Sequence, residues 1–183
     1  MIDLEKIKKN IIKGNYKESI DKLNIILSLD KNNIDAMYLL AISQEKLNDY
    51  KSAIETYKKL IVKQKNYIFY DNLGKIYLKL SEFITARKYF SDSLRINPNN
   101  ASTHNTLGIT FATENMENLA VKHFLNASEL DQKFLDPIYN LLEIYEKTNK
   151  FNSLNNLVKQ KIKLFPSDHI ILFYQSYLFE KDN

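Results

Sequence analysis

The chain has 183 residues, of which 44% are hydrophobic and 26% are charged, with a formal net charge of +4. This composition is typical of a globular protein long enough for one extended domain or a short array of repeats. Three glycines and three prolines are too few for the many tight turns of a β-sandwich. The absence of cysteine excludes disulfide bonds and thiolate metal sites.

The basic residues do not form the pattern expected of a nucleic-acid-binding protein. Arg87 and Arg95 are the only arginines, and the lysines are scattered among nearly as many acidic residues. Proteins that bind nucleic acid usually cluster basic side chains on one face and use arginine for bidentate contacts. The sequence therefore predicts no nucleic-acid partner.

The N-terminal stretch MIDLEKIKKN contains early acidic residues and lacks the apolar segment of a signal peptide. No apolar run approaches the roughly 18 residues of a transmembrane helix. We therefore expect no membrane insertion and a cytoplasmic location.

Apolar residues recur at i, i+3, i+4 and i+7 along the whole chain, which predicts successive amphipathic helices. Breaks such as INPNNAS and FPSDH separate them, because proline cannot continue a helix and Asn or Ser can cap the next one. The predicted helix pairs are 3–13 with 16–29, 34–47 with 50–63, 67–80 with 83–96, 101–114 with 117–130, and 135–148 with 151–164, followed by a single helix at 168–181.

Small or apolar residues mark a period of 33 or 34 residues. In the first helices they are Ala41, Gly74, Gly108, Leu142 and Ser176, and in the second helices Ser19, Ala53, Ala86, Ala120 and Leu154. Two independent series with one period indicate internal repeats. We predict a single array with units at about 1–33, 34–66, 67–100, 101–134 and 135–168 and a terminal helix at 169–183.

Two of these markers are glycines inside helices. Gly74 and Gly108 should each cost about 1 kcal/mol relative to alanine. A glycine in the middle of a helix indicates close approach of another helix. We expect the small residues Ala86 and Ala120 to face them.

The third and fourth units share a spacing of aromatic, small and apolar residues. The third reads Tyr70-x2-Leu73-Gly74-x2-Tyr77, then Ala86-x3-Phe90 and Pro98, and the fourth reads His104-x2-Leu107-Gly108-x2-Phe111, then Ala120-x3-Phe124. This pattern resembles the tetratricopeptide repeat. The other units match it more loosely. The resemblance implies an all-α solenoid, a right-handed superhelix of about five helix pairs plus a terminal helix.

The resemblance also implies a function: in this family the first helices line a concave groove that holds a peptide. This chain would then be a non-catalytic scaffold for a protein or peptide partner. The main positions that match the groove are Tyr38, Ile42, Asn72, Lys75, Lys79, Asn105, Ile109, Tyr139, Asn140 and Glu143. A wider set of matching positions adds Asp35, Glu45, Ile68, Asp71, Ser102, Thr106, Thr113, Asp136 and Lys147.

Two modes of groove binding are known in the family. One holds a C-terminal carboxylate with lysine and asparagine, but the paired lysine and arginine are absent here. The other runs asparagines along the groove, as in the repeats of O-GlcNAc transferase. Asn72 and Asn140 match that ladder, and a side-chain amide can donate and accept hydrogen bonds with any peptide unit. The alternative is that these asparagines reflect only the Asn-rich composition.

The last segment, HIILFYQSYLFEKDN, suggests a second function. If Leu172, Ser176 and Phe179 pack inward, Ile171, Tyr174 and Leu178 form an exposed apolar stripe, which would favour an assembly subunit that self-associates. The alternative is that Tyr174 and its neighbours fold over the fifth unit as an ordinary cap.

The sequence contains no motif of catalysis, of phosphate binding or of a calcium loop. His104 occupies an aromatic position of the repeat and is expected to be packed, and His123 is expected to be exposed. No two histidines have the i, i+4 spacing of metal ligands. We therefore expect no enzymatic activity, no metal and no cofactor.

Overall fold

A computed structural model describes residues 3–182, except for the side chain of Asp182, and this part of the chain consists of eleven α-helices without a strand. Residues 1, 2 and 183, which the predicted first unit and terminal helix include, lie outside it. The helices are α1 Leu4–Ile12, α2 Tyr16–Leu29, α3 Ile34–Lys46, α4 Tyr50–Lys63, α5 Tyr67–Lys79, α6 Phe83–Ile96, α7 Ala101–Thr113, α8 Glu117–Leu130, α9 Asp136–Lys147, α10 Phe151–Lys161 and α11 His169–Asp182.

The predicted helix map is confirmed to within one residue at nearly every boundary. The exception is α10, which ends at Lys161, three residues before the predicted end. The sequence Phe165-Pro166 follows, and the residue before a proline is disfavoured in the α conformation. None of the helices in the described part of the chain combines the length and apolarity needed to cross a membrane.

The chain divides into two compact units, Met1–Pro98 and Asn99–Asn183. The first contains α1 to α6 and the second contains α7 to α11. Within each unit, consecutive helices pack against each other as helical hairpins. The single array over 1–183 stays a prediction.

Short polar side chains define where the helices begin and where the pairs turn. Backbone N–H groups at helix starts donate hydrogen bonds to the side chains of Asp3, Asn33, Asp49, Asn66 and Asn100, which is the usual N-cap arrangement. The turn between the two helices of each pair contains one residue with positive φ, and these residues are Gly14, Asn48, Ser81, Asn115 and Asn149. Glycine and asparagine tolerate this left-handed conformation best, so the turns explain the regular spacing of the pairs.

Each of the two glycines inside helices packs directly against an aromatic ring. A Cβ atom on Gly74 would lie 2.7 Å from Cε1 of Phe90, and one on Gly108 would lie 2.6 Å from the same atom of Phe124. The glycines do mark close approach, as expected. The nearest atoms belong to the phenylalanine four residues after the predicted partner, Ala86 in the first unit and Ala120 in the second. That the two alanines face the glycines stays a prediction. Both rings are fully buried.

The last helix packs as a cap on the second unit. Ile171, Tyr174 and Leu178 are only 0%, 8% and 7% exposed and belong to one core cluster with residues of α9 and α10. The prediction that these three side chains form an exposed stripe was therefore wrong. The physical reason is local. The side chain of Asp168 accepts hydrogen bonds from the N–H groups of Ile170 and Ile171 and fixes the start of the helix so that Ile171 faces inward.

Candidate functional site

The predicted groove residues of the first unit lie on α3 and α5. Tyr38, Ile42, Asn72 and Lys75 are half-buried, and Lys79 is exposed. Asn72 is tied into the fold, because its Nδ2 donates to the hydroxyl oxygen of Tyr57 at 3.1 Å and to that of Tyr38 at 3.4 Å. Its side-chain carbonyl oxygen has no hydrogen bond within the described part of the chain.

The hydroxyl group of Tyr57 is a fixed structural partner of Asn72. Burial raises the pKa of Tyr57 far above its ordinary value, with a further contribution from nearby Glu45. The hydroxyl therefore stays protonated at any physiological pH. The amide–hydroxyl contact is neutral and orients Asn72 rather than supplying charge.

The cationic side chains of this face are already paired. Nζ of Lys75 lies 2.6 Å from a carboxylate oxygen of Asp71, and Nζ of Lys79 lies 2.8 Å from one of Glu45. Ion pairs at a protein surface contribute only about 0–1 kcal/mol, but they do neutralise local charge. This face therefore lacks a free cation cluster that could hold a carboxylate.

The predicted groove residues of the second unit lie on α7 and α9. Ile109 and Glu143 are exposed, and Tyr139 and Asn140 are half-buried. Asn105, in contrast, is only 6% exposed and accepts a hydrogen bond from Nδ2 of Asn140 at 3.1 Å. The expectation that Asn105 faces the groove was wrong, because its side chain turns into the helix interface and supports Asn140.

An open cleft of about 170 Å³ lies between α7, α8 and α9 of the second unit. Its apolar lining comes from Ile109, Ala112, Phe124 and Ile144. Its polar lining comes from Thr113, Glu117, Asn140, Glu143 and Lys147. The cleft thus offers an apolar surface for one side chain, surrounded by groups that can bind a polar main chain.

The charges around this cleft are unequal. Nζ of Lys147 lies 4.0 Å from a carboxylate oxygen of Glu117. Glu143 makes no hydrogen bond and no ion pair among residues 3–182. The cleft therefore carries two carboxylates and one ammonium group, a net charge of −1.

Only three of the ten predicted groove residues, Ile109, Asn140 and Glu143, line this cleft. The wider prediction for the first helices also contained Thr113 and Lys147. Glu117 and Phe124 were missed because they lie on α8, a second helix, and the sequence analysis considered only first helices. The period of the repeat shows which helix is first, but it does not show how far a second helix reaches into the face.

The two histidines of the second unit form a pair. Nδ1 of His104 lies 3.1 Å from Nδ1 of His123, and the ring of Phe111 stacks on His123 at 5.4 Å. His104 is packed, as expected, but the prediction that His123 is exposed was wrong. Burial, and then the charge of His104, lower the pKa of His123 to about 4. No group of three or more metal-ligating side chains occurs among the described residues.

Comparison with known proteins finds matches to a repeat family. Two models of the tetratricopeptide repeat match residues 35–66 and 67–100. A TPR repeat-containing protein of Borreliella burgdorferi is 35% identical over 111 residues, which cover 57% of this chain and 46% of that protein. The chain therefore spans about half the length of this relative.

Solved structures share the fold. MamA from Desulfovibrio magneticus RS-1 aligns with a TM-score of 0.78 at 16% identity, over 90% of this chain and 94% of that one. YrrB, described as a TPR protein with an unusual peptide-binding site, aligns with a TM-score of 0.71 at 19% identity, over 93% of this chain and 88% of that one. At these identities the likeness shows the fold alone.

Proposed function

Because the chain belongs to the tetratricopeptide repeat family, we propose that it is a non-catalytic scaffold that binds an extended segment of a partner protein on the α7–α9 face of its second unit. The fold in general supports protein–protein interaction. The observation that carries the proposal is the cleft around Ile109, which combines an apolar surface with polar groups. A peptide places one side chain into such a cleft and leaves its main chain at the edge.

Asn140 supplies the main-chain contact in this proposal. One N–H of its amide is used by Asn105, which fixes the orientation of the side chain. Its carbonyl oxygen has no hydrogen bond within residues 3–182 and is an acceptor for a backbone N–H of the ligand. Such a contact does not depend on the ligand's sequence, so the apolar cleft provides the selectivity. YrrB, which shares this fold, is described as having a peptide-binding site, and this supports peptide binding as the class of function.

The test uses a library of random 12-residue peptides displayed on phage. Peptides enriched on the wild-type chain are synthesised with a fluorophore, and their affinity is measured by fluorescence anisotropy for wild type, Ile109→Asp and Leu119→Asp. The control is matched, because Ile109 and Leu119 are 38% and 44% exposed and only Ile109 lines the cleft.

We expect Ile109→Asp to weaken binding about tenfold or more, since contact with an aliphatic side chain is worth about 1.5–3 kcal/mol. Leu119→Asp should bind like wild type. Equal affinity for both variants, or a library without any enriched peptide, would contradict the proposal.

The second function considered above, self-association through the terminal helix, cannot use the three residues predicted for it, but the same helix exposes Phe173 and Phe179 at 60% and 72%. The three residues expected to be exposed, Ile171, Tyr174 and Leu178, are part of the core of the second unit. Substituting a charge there would unfold the cap and would not report on assembly. Self-association through this helix therefore stays a prediction, which now rests on the exposed phenylalanines.

A further inference from the structure

We propose that the cleft of the second unit selects basic peptides, in which an aliphatic anchor is flanked by lysine or arginine, and that Glu143 is the residue that determines this specificity. The inference rests on the proposed function, because it assigns the chemistry of the ligand at the same cleft. The ligand is a segment of a partner protein, and its recognition depends on charge as well as on apolar contact.

The charge of Glu143 is available to a ligand. Its carboxylate is exposed, lines the cleft and makes no hydrogen bond and no ion pair among residues 3–182. The other acidic residue nearby on α9, Glu146, lies about one helical turn from Glu143. It already accepts a hydrogen bond from the hydroxyl group of Tyr174 at 2.8 Å. Lys147 lies beside Glu117. Glu143 is therefore the acidic group that an incoming cation would meet.

The net charge of the whole chain, +4, acts in the opposite direction and would repel a basic peptide. Screening by salt decides which effect dominates. At physiological ionic strength, charges on exposed groups are largely screened beyond a Debye length of about 8 Å. A side chain that flanks the anchor lies within that distance of Glu143, and Lys147 supplies the only ammonium group among the residues that line the cleft. The local charge of −1 therefore governs selection.

The size of the cleft favours one aliphatic side chain as the anchor. Its volume of about 170 Å³ is below the roughly 300–1,000 Å³ of pockets that hold a complete small molecule. The apolar groups that line it and reach the surface are Ile109, which is exposed, and Ala112, which is half-buried, with Ile144 and Phe124 beneath them. An aliphatic side chain packs against these groups without leaving a polar atom unsatisfied.

The first unit lacks this arrangement at the corresponding helices. There Asp71 and Glu45 are the acids nearest to the predicted groove lysines, and both are paired with them. A cation that approached either carboxylate would have to displace a lysine. The first unit's face therefore gives no equivalent selection for basic residues through these two acids.

The experiment repeats the random peptide selection on wild type, Glu143→Lys and Glu129→Lys. The two substitutions change the net charge equally, and both residues are exposed glutamates of the second unit, but only Glu143 lines the cleft. Wild type and Glu129→Lys should enrich peptides with an aliphatic residue next to lysine or arginine. Glu143→Lys should enrich acidic residues at the flanking positions instead.

Synthetic peptides quantify the effect. Replacing the flanking lysine of an enriched peptide by glutamine should weaken binding to wild type about two- to fivefold at low salt, the range of an exposed ion pair. The same replacement should have no effect on binding to Glu143→Gln. At 1 M NaCl, where screening acts over about 3 Å, the two peptides should bind wild type equally.

The two proposals fail in different ways. Peptides that depend on Ile109 but show no preference for basic residues, or keep that preference in Glu143→Lys, would overturn the specificity and leave the cleft as a peptide site. Enriched peptides that are acidic or uncharged would do the same. A library in which no peptide depends on Ile109 would overturn both proposals.

Discussion

The contact between Gly74 and Phe90 predicts that alanine at position 74 destabilises the first unit, although alanine is the better helix former. In an unconstrained helix, glycine to alanine would stabilise by about 1 kcal/mol. Here the added Cβ would lie 2.7 Å from Cε1 and 2.8 Å from Cδ1 of Phe90, whereas ordinary contacts begin at 3.4 Å. The ring would have to move by about 0.7 Å.

The ring cannot move into solvent, because Phe90 is fully buried. Forcing an extra methyl group into a packed core costs about 1–3 kcal/mol. Set against the gain in helix propensity, the net effect should be a loss of about 0–2 kcal/mol in the free energy of unfolding. Gly108→Ala should behave in the same way in the second unit, since its Cβ would lie 2.6 Å from the ring of Phe124.

The assay is thermal unfolding followed by circular dichroism at 222 nm for wild type, Gly74→Ala, Phe90→Leu and the double variant. Leucine is shorter and can rotate away, so Gly74→Ala should be neutral or stabilising in the Phe90→Leu background. A rise in melting temperature for Gly74→Ala in the wild-type background would refute the reasoning. So would equal effects in both backgrounds, because the two sites would then be uncoupled.

Two further predictions concern a turn and a titration. Ser81 has a φ of 59°, and the equivalent residue of the other pairs is asparagine or glycine. Ser81→Asn should therefore raise the free energy of unfolding by a few tenths to about 1 kcal/mol. The opposite type of substitution at another turn, Asn115→Ser, should lower the melting temperature. His123 has a pKa of about 4 in the folded chain, whereas its ordinary value is 6.5. Between these pH values the unfolded chain binds more protons than the folded chain. The free energy of unfolding should therefore fall as the pH decreases from about 6.5 to 4. Discounted for partial exposure, the loss of stability measured by denaturant unfolding should be about 1–2 kcal/mol. His123→Gln should flatten this dependence of stability on pH. An equally flat dependence for wild type would contradict a half-buried, neutral His123.

The helices were predictable because each begins and ends at a local chemical cue. Asn33, Asn66 and Asn100 cap helices whose starts the sequence placed correctly. Asn48 and Asn115 adopt the left-handed conformation at the turns that the sequence also placed. These cues act within a few residues, so one sequence suffices to read them.

The candidate site was less predictable, because it depends on side chains that meet across helices. Asn105 and Asn140 are both asparagines of first helices, yet one is buried and the other half-buried. The 34-residue period aligns Asn140 with Thr106, so Asn105 lies one position, or about 100° around the helix axis, away from the equivalent site. The period does not show that Asn105 accepts a hydrogen bond from Asn140 of the next first helix. His123 was misplaced because the partner that buries it, His104, lies on another helix.

The terminal helix α11 shows how a one-residue change of register alters such a prediction. Continuing the 34-residue period from α9 would bring Leu172 and Ser176 inward. In the structure, the buried residues Ile138, Leu141 and Tyr145 of α9 correspond to Ile171, Tyr174 and Leu178 of α11, a spacing of 33 residues. One residue less turns the helix by about 100°, which buries the stripe that the longer period exposes. The early end of α10 and the Asp168 cap set this register, so the error arose in the seven-residue connection at 162–168 and not in the helix itself.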